Sequence, residues 1–171
     1  MQMVKNALLV LLLVWLGILG FMPKQELYYT LEEALAKQEI ALNEKKISEG
    51  MFGLTLEQVS VYVKGIKVAT IKEIDVLTLL FYTRLKLDTL HVDDSLKQMV
   101  PQETQEAIFS HSIVAPTQIK IEAQGSFGGL TGQADVLNRT VHLDFNESKA
   151  LPMLGSQLKK GEKGWVYETS F

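Results

Sequence analysis

Between Ala7 and Met22 the chain runs for sixteen residues without a charged or strongly polar side chain, with Lys5 before the run and Lys24 after it. A bilayer core about 30 Å thick asks for about 20 helical residues, with roughly 17 as the lower limit. The run is just short of that limit, and flanking lysines that snorkel to the interface make up the difference. The expected reading is an uncleaved signal-anchor over residues 1–24, its span marked by Ala7, Leu12, Trp15, Leu19 and Met22. The competing reading is a cleaved signal peptide, whose apolar region is about 7–15 residues long. Its cleavage signature is poor here, because Ile18 and Gly20 are followed by Phe21, Met22 and Pro23, with no Ala-x-Ala. A core helix needs only one apolar stripe, not an apolar surface all round. Lys5 precedes the span and acidic Glu26, Glu32 and Glu33 follow it, so the charge bias points to a cytoplasmic N-terminus.

Removing residues 1–24, which hold two lysines and no acid, leaves 15 basic and 20 acidic residues, a net charge of −5. This balance argues against nucleic acid, whose phosphates are neutralised by Lys and Arg. It also argues against a basic patch for anionic headgroups. With no cysteine, disulfide and zinc-thiolate scaffolds are excluded. The remaining 147 residues hold enough apolar side chain for one folded domain over residues 25–171.

The periodicity of that domain predicts an α+β fold. Pro23 can open a helix, and Leu27, Leu31 and Leu35 then recur at i, i+4 and i+8, a docking stripe for the domain's own core. From Gln58 to Lys64 apolar and polar residues alternate strictly, Gly65 breaks the run, and Ile66 to Ala69 resume it. Further short alternations occupy Ile74–Leu79, Leu85–Leu87, Leu90–Val92, Gln118–Ala123, Thr140–Phe145 and Trp165–Tyr167. Period two with one polar face marks antiparallel strands in a meander. Between them, residues 95–110 read as a helical interlude: Asp94 or Ser95 caps a turn with Leu96, Met99 and Val100, Pro101 ends it, and Ala107, Ile108 and Phe109 supply a second turn. The expectation is therefore an N-terminal transmembrane helix followed by a mainly antiparallel curved sheet with a few short helices packed on it. Gly125, Gly128, Gly129 and Gly132 fall within eight positions and mark sheet bends. As phosphate-binding glycines they fit poorly, lacking Gly-Lys-Ser/Thr and a following helix.

The segment Gly125-Ser126-Phe127-Gly128-Gly129-Leu130-Thr131-Gly132, continuing through Val141-His142-Leu143, resembles a strand signature of two related groups. These are the type II secretion system protein N family and the AsmA-like envelope proteins. Phe52-Gly53-Leu54-Thr55-Leu56-Glu57, leading into Val59 and Val61, is similar to the start of their first long hairpins. The resemblance is specific over residues 52–76 and 125–145. It implies a single-pass protein of the bacterial inner membrane with its C-terminal domain in the periplasm. The implied partners are the lipid bilayer, envelope or secretion-system subunits, and lipid.

Enzyme constellations are thin, and no catalytic residue, metal site or cofactor is expected. His91, His111 and His142 are far apart in sequence. His91-Val92-Asp93-Asp94 supplies too few ligands for zinc, which takes three or four, and reads better as a strand end and helix cap. Ser110-His111-Ser112 is not a triad, which is defined by geometry. Glu32-Glu33 and Asp93-Asp94 read as surface or cap acids. Asn138-Arg139-Thr140 and Asn146-Glu147-Ser148 are sequons. The second, preceded by Asp144, is similar to the acidic sequon of some bacterial oligosaccharyltransferases, which makes Asn146 a candidate glycosylation site; the bland alternative is a strand-ending turn.

Two functional classes follow. One is a non-enzymatic, membrane-anchored component of an envelope assembly that meets partner subunits through its sheet. The other is an AsmA-like lipid-binding or lipid-transfer module whose apolar sheet groove is lined by Val61, Ile66, Val68, Ile121, Val141 and Leu143. The same six residues could instead pack beneath helices over 25–38 and 95–110.

Overall fold

The computed structural model describes residues 2–21, 23–79, 81–96, 103–147, 158–161 and 164–171. Two helices, α1 (Gln2–Phe21) and α2 (Lys24–Ala36), precede eleven strands. The strands are β1 (Ile40–Asn43), β2 (Lys46–Glu49), β3 (Gly53–Val63), β4 (Ile66–Leu79), β5 (Tyr82–Val92), β6 (Glu103–Ser112), β7 (Ala115–Gly125), β8 (Gly128–Asp135), β9 (Thr140–Phe145), β10 (Lys159–Lys160) and β11 (Trp165–Ser170). All belong to one antiparallel sheet in the order β1-β3-β4-β5-β6-β7-β8-β9-β11-β10, with β2 also paired to β3.

Two expectations are corrected. The chain is mostly antiparallel sheet and not an anchored α+β domain. Where a helix was expected over residues 95–110, a 3-10 turn covers only Asp94–Leu96, and Glu103–Ser112 is strand β6. Met99, Val100 and Pro101 lie outside the described residues. Ala107-Ile108-Phe109 reads as a helical turn in isolation, but here Ala107 and Phe109 face one side and Ile108 the other, because β5 and β7 pair on both flanks. Tertiary pairing overrides the local pattern.

The second correction concerns the membrane. The apolar part of α1 runs from Ala7 through Leu12, Trp15 and Leu19 to Phe21. At 1.5 Å per residue that is about 22 Å of helix against roughly 30 Å of hydrocarbon. Among the described residues no helix is long and apolar enough to cross a membrane. The single-pass inner-membrane placement with a periplasmic domain is therefore overturned. Met22 lies outside the described residues.

The main core sits where the sheet changes phase. In β3 the inward residues are Leu54 and Leu56, then Val59; in β4 they are Ile71, then Ile74; in β5, Leu85 and Leu87, then Leu90. Strict alternation advances by two. At one level of the sheet each strand advances by three, from Leu56 to Val59, Ile71 to Ile74 and Leu87 to Leu90. Register is unbroken there, since Glu57 faces Glu73 and Val59 faces Ile71. Gln58 and Thr89 take left-handed backbone at φ 55° and 50°, and β6 and β7 shift register between Thr104 and Glu106. The slip returns apolar side chains to the same face on both sides of the kink. Val59, Leu56 and Ile71, at 0%, 3% and 5% exposure, lie at its centre.

Helix α2 closes this end through Tyr28, buried among Leu54, Leu56, Val59, Ile71 and Ile74. The predicted stripe makes only part of the contact: Leu35 is half-buried, while Leu27 and Leu31, which line a cavity against Leu54 and Val76, stay about half exposed. Tyr28 prevails because its ring fills the core while its hydroxyl donates to Glu44 Oε2 at 2.8 Å. Burial first, then the hydrogen bond to Glu44 and its charge, push the phenol's pKa well above its ordinary value. The folded state disfavours phenolate, whereas unfolded tyrosine ionises near about pH 10. Stability from this group is thus intact below about pH 10 and lost as pH rises above it. Tyr28→Phe should cost about 1 kcal/mol at neutral pH and flatten the alkaline fall in the urea midpoint. Equal alkaline slopes in the two proteins would refute the assignment.

Candidate functional site: a two-row apolar sheet face

Pairing registers carry two uninterrupted rows across eight strands on the face that holds Tyr28. The first passes from Leu56 through Ile74, Leu87, Ala107, Ala123, Leu130 and Phe145 to Trp165. The second passes from Leu54 through Val76, Leu85, Phe109, Ile121, Gly132 and Leu143 to Tyr167. No position in either row is charged. With strands about 4.8 Å apart, the seven intervals span roughly 34 Å.

Two clusters cap the ends of these rows. Tyr28 closes one. At the other, Phe127, Phe145 and Leu158 are buried against Ala123, Leu130, Leu143, Trp165 and Tyr167. The smallest side chains, Ala107, Ala123 and Gly132, occupy the centre, so the floor is lowest between the clusters. There Phe109, Ile121 and Leu143 are only half-buried. Helix α2 packs on β1, β2 and β3, at one end of the rows and away from this centre. Beside α2 a cavity of about 190 Å³ opens between Leu27, Leu31, Leu54 and Val76, with Lys24 and Thr78 at its rim.

The opposite face is polar. Its matching row is Thr55, Asp75, Lys86, Ile108, Glu122, Thr131 and Asp144. Lys86 Nζ meets Glu106 at 2.7 Å and Lys46 Nζ meets Glu57 at 2.6 Å, while Thr55 Oγ1 donates to Asp75 at 2.6 Å. The Asp75 charge, then partial desolvation, holds the Glu73 carboxyl above its usual range. A depression of about 750 Å³ lies between Glu106, Glu122, Gln124, Thr131 and Asp144, with Ala123, Leu130 and Phe145 of the first row also in its lining. Glu122 and Asp144 are exposed there, and Glu106 is half-buried.

The six expected groove residues divide. Val61 packs against the Tyr28 cluster, Ile121 and Leu143 belong to the second apolar row, and Val141 faces Ala134 on the same side. Ile66 is 65% exposed at the start of β4, and Val68 alternates with buried Ala69 and so faces the polar side. Of the four glycines, Gly125 and Gly128 flank the β7–β8 turn, with Gly128 at φ 84°, while Gly129 and Gly132 lie inside β8. At Gly132 a methyl group would collide with the His142 carbonyl and the Leu143 side chain, so close strand approach explains this residue. Asn146 is tied down: its Oδ1 accepts from the Gly129 N–H at 2.7 Å, and its own N–H donates to the Gly129 carbonyl at 3.1 Å.

The histidines remain apart. His111 Nε2 lies 3.0 Å from the Pro116 carbonyl. His142 sits between Glu168 at 3.0 Å and Asp144 at 3.2 Å. His91 faces Glu103 across the β5–β6 pair. Asp93 Oδ1 accepts from the Ser95 N–H at 3.1 Å and begins the 3-10 turn. Among the described residues no group of three His, Asp or Glu side chains could hold a metal ion. Reading strands singly identified Ile121, Val141 and Leu143 but missed Leu85, Leu87, Phe109 and Trp165. Following the three-residue steps would have placed the first two. Comparison with protein families, with curated proteins and with solved structures finds no match.

Proposed function

We propose that the protein is a non-catalytic binder of long apolar molecules, holding acyl chains along the two apolar rows. The observation that carries this reading is the uncharged face crossing eight strands, with no described layer over its centre at Phe109, Ile121 and Gly132. Burying apolar area contributes about 25 cal/mol per Å², and an acyl chain is the partner whose surface is apolar along its whole length. The AsmA-like resemblance over residues 52–76 and 125–145 supports the same class. Sheet-edge contact with partner subunits, the other class, draws on less. β10 pairs only with Trp165 and Val166, so the outer edge of β11 offers a short stretch, Tyr167–Ser170, among the described residues.

A photoactivatable long-chain fatty acid, used below its micelle concentration with the full chain, is the direct test. Cross-links are expected on β6 to β9 at apolar-row positions, and Ile121→Asp should reduce them at least tenfold without changing the sheet's circular dichroism. Cross-links confined to α1, or labelling indifferent to Ile121→Asp, would overturn the proposal.

A further inference from the structure

All turns at one end of the sheet lie side by side. Thr78 N–H donates to the Phe52 carbonyl at 2.7 Å, Ile113 N–H to Phe81 at 3.0 Å, Val136 N–H to Thr117 at 2.8 Å and Phe171 N–H to Arg139 at 3.0 Å. These bonds join the β2–β3, β4–β5, β6–β7 and β8–β9 connections and the final residue into one rim. The rim holds nearly all the misplaced apolar surface. Among the described residues outside the two helices, nine large hydrophobic side chains are exposed, and eight of them are here: Met51, Phe81, Tyr82, Ile113, Val114, Val136, Leu137 and Phe171. The ninth, Ile66, stands at the opposite end, where the described turn residues are Lys64-Gly65, Asp93-Asp94-Ser95, Ser126-Phe127 with the Phe127 ring buried, and Asn146-Glu147.

Hairpin turns ordinarily take Gly, Asn, Asp or Ser. Ile113 and Val114 form such a turn at 56% and 89% exposure, and Val136 and Leu137 another at 54% and 76%. Apolar surface of this kind on a soluble domain marks a contact site. Helix α1 leads to the same rim: Trp15 lies against Phe81 at 6.2 Å between ring centroids, and Lys24, just past its end, meets Glu49 at 3.7 Å beside the β2–β3 turn.

We propose that this rim docks the protein on a lipid bilayer surface, with the hairpin tips entering the interface and no segment spanning the membrane. The occupant follows from two features. From Ala7 on, helix α1 is apolar around its circumference, and apart from Trp15, which packs on Phe81, its described large apolar side chains are exposed on several sides, Leu8, Leu9, Val10, Leu11 and Leu13 at 57–69%. A protein groove covers one side of a helix, whereas a leaflet that the helix enters part-way covers all of them. The tips are also separate points along a rim, a shape suited to a fluid layer of headgroups and acyl ends. This docking does not depend on the acyl-binding reading above.

The chain has no cysteine, so Val114→Cys, Leu137→Cys and, as control, Ile66→Cys each give one site for an environment-sensitive fluorophore. With phosphatidylcholine–phosphatidylglycerol vesicles, labels at 114 and 137 should brighten severalfold and be quenched by brominated lipid, while the label at 66 stays unchanged. Val114→Asp with Leu137→Asp should weaken vesicle partition roughly tenfold or more. Three results would each overturn the proposal: no vesicle binding; binding with labels at 114 and 137 as water-exposed as at 66, which assigns binding to α1 alone; or brightening with rising protein concentration before vesicles are added, which assigns the rim to a second copy.

Discussion

Val59→Asp is expected to leave the chain unfolded, with no cooperative urea transition. Val59 is 0% exposed and faces Ile71 where the alternation slips. Leu54, Leu56, Ile74 and Tyr28 complete its surroundings. Among the described residues no polar or charged residue is buried, so none is available in the core to pair with an introduced carboxylate. The group must ionise at a cost of several kcal/mol or remain protonated with its hydrogen bonds unmet. Either outcome consumes most of the roughly 5–15 kcal/mol that holds a domain folded. Val59→Ala separates polarity from volume and should cost only about 2 kcal/mol. A wild-type urea midpoint for Val59→Asp would show that Val59 lies outside the core.

Gly132→Val is expected to lower stability by about 3 kcal/mol and to loosen one half of the sheet. A β-carbon at Gly132 would meet the His142 carbonyl, Leu143 Cδ2 at 2.8 Å and Leu143 Cα at 3.0 Å. Two of these are backbone atoms and cannot rotate away, so β9 must move off β8. β11 pairs with β9 along all six of its residues and would follow. Hydrogen exchange should therefore quicken in β9 and β11 while β3 to β5 keep their protection. Gly17→Ala, with nothing within 4 Å of the added methyl, is the matched control. Uniform loss of protection across both halves would refute the local account.

Antiparallel order was legible wherever apolar and polar residues alternate without interruption, as from Gln118 to Ala123 and from Thr140 to Phe145. It was obscured by two physical effects. The step of three from Leu56 to Val59 and from Leu87 to Leu90 mimics helical spacing, although the chain there is extended and kinked at Gln58 and Thr89. Ala107-Ile108-Phe109 gives no alternation because both faces of β6 are apolar at that point, Ile108 lying on the otherwise polar side. The leucine stripe of α2 told only part of its docking: a hydroxyl within reach of Glu44 made Tyr28 the better core residue. The rows themselves exist only across strands, so no single segment could display them. The apolar hairpin tips were visible as residues, but only the topology gathers them at one end.

From β3 to β8 every strand pairs with the strands just before and just after it in the chain. Such an order grows by repetition: one more hairpin spliced in at any turn would find its pairing edges ready-made, much as solenoids add repeats. Each duplication would widen the sheet by about 10 Å and lengthen both rows by two side chains. Capacity for longer cargo could thus evolve through unit insertion, leaving the Tyr28 and Phe127 ends untouched.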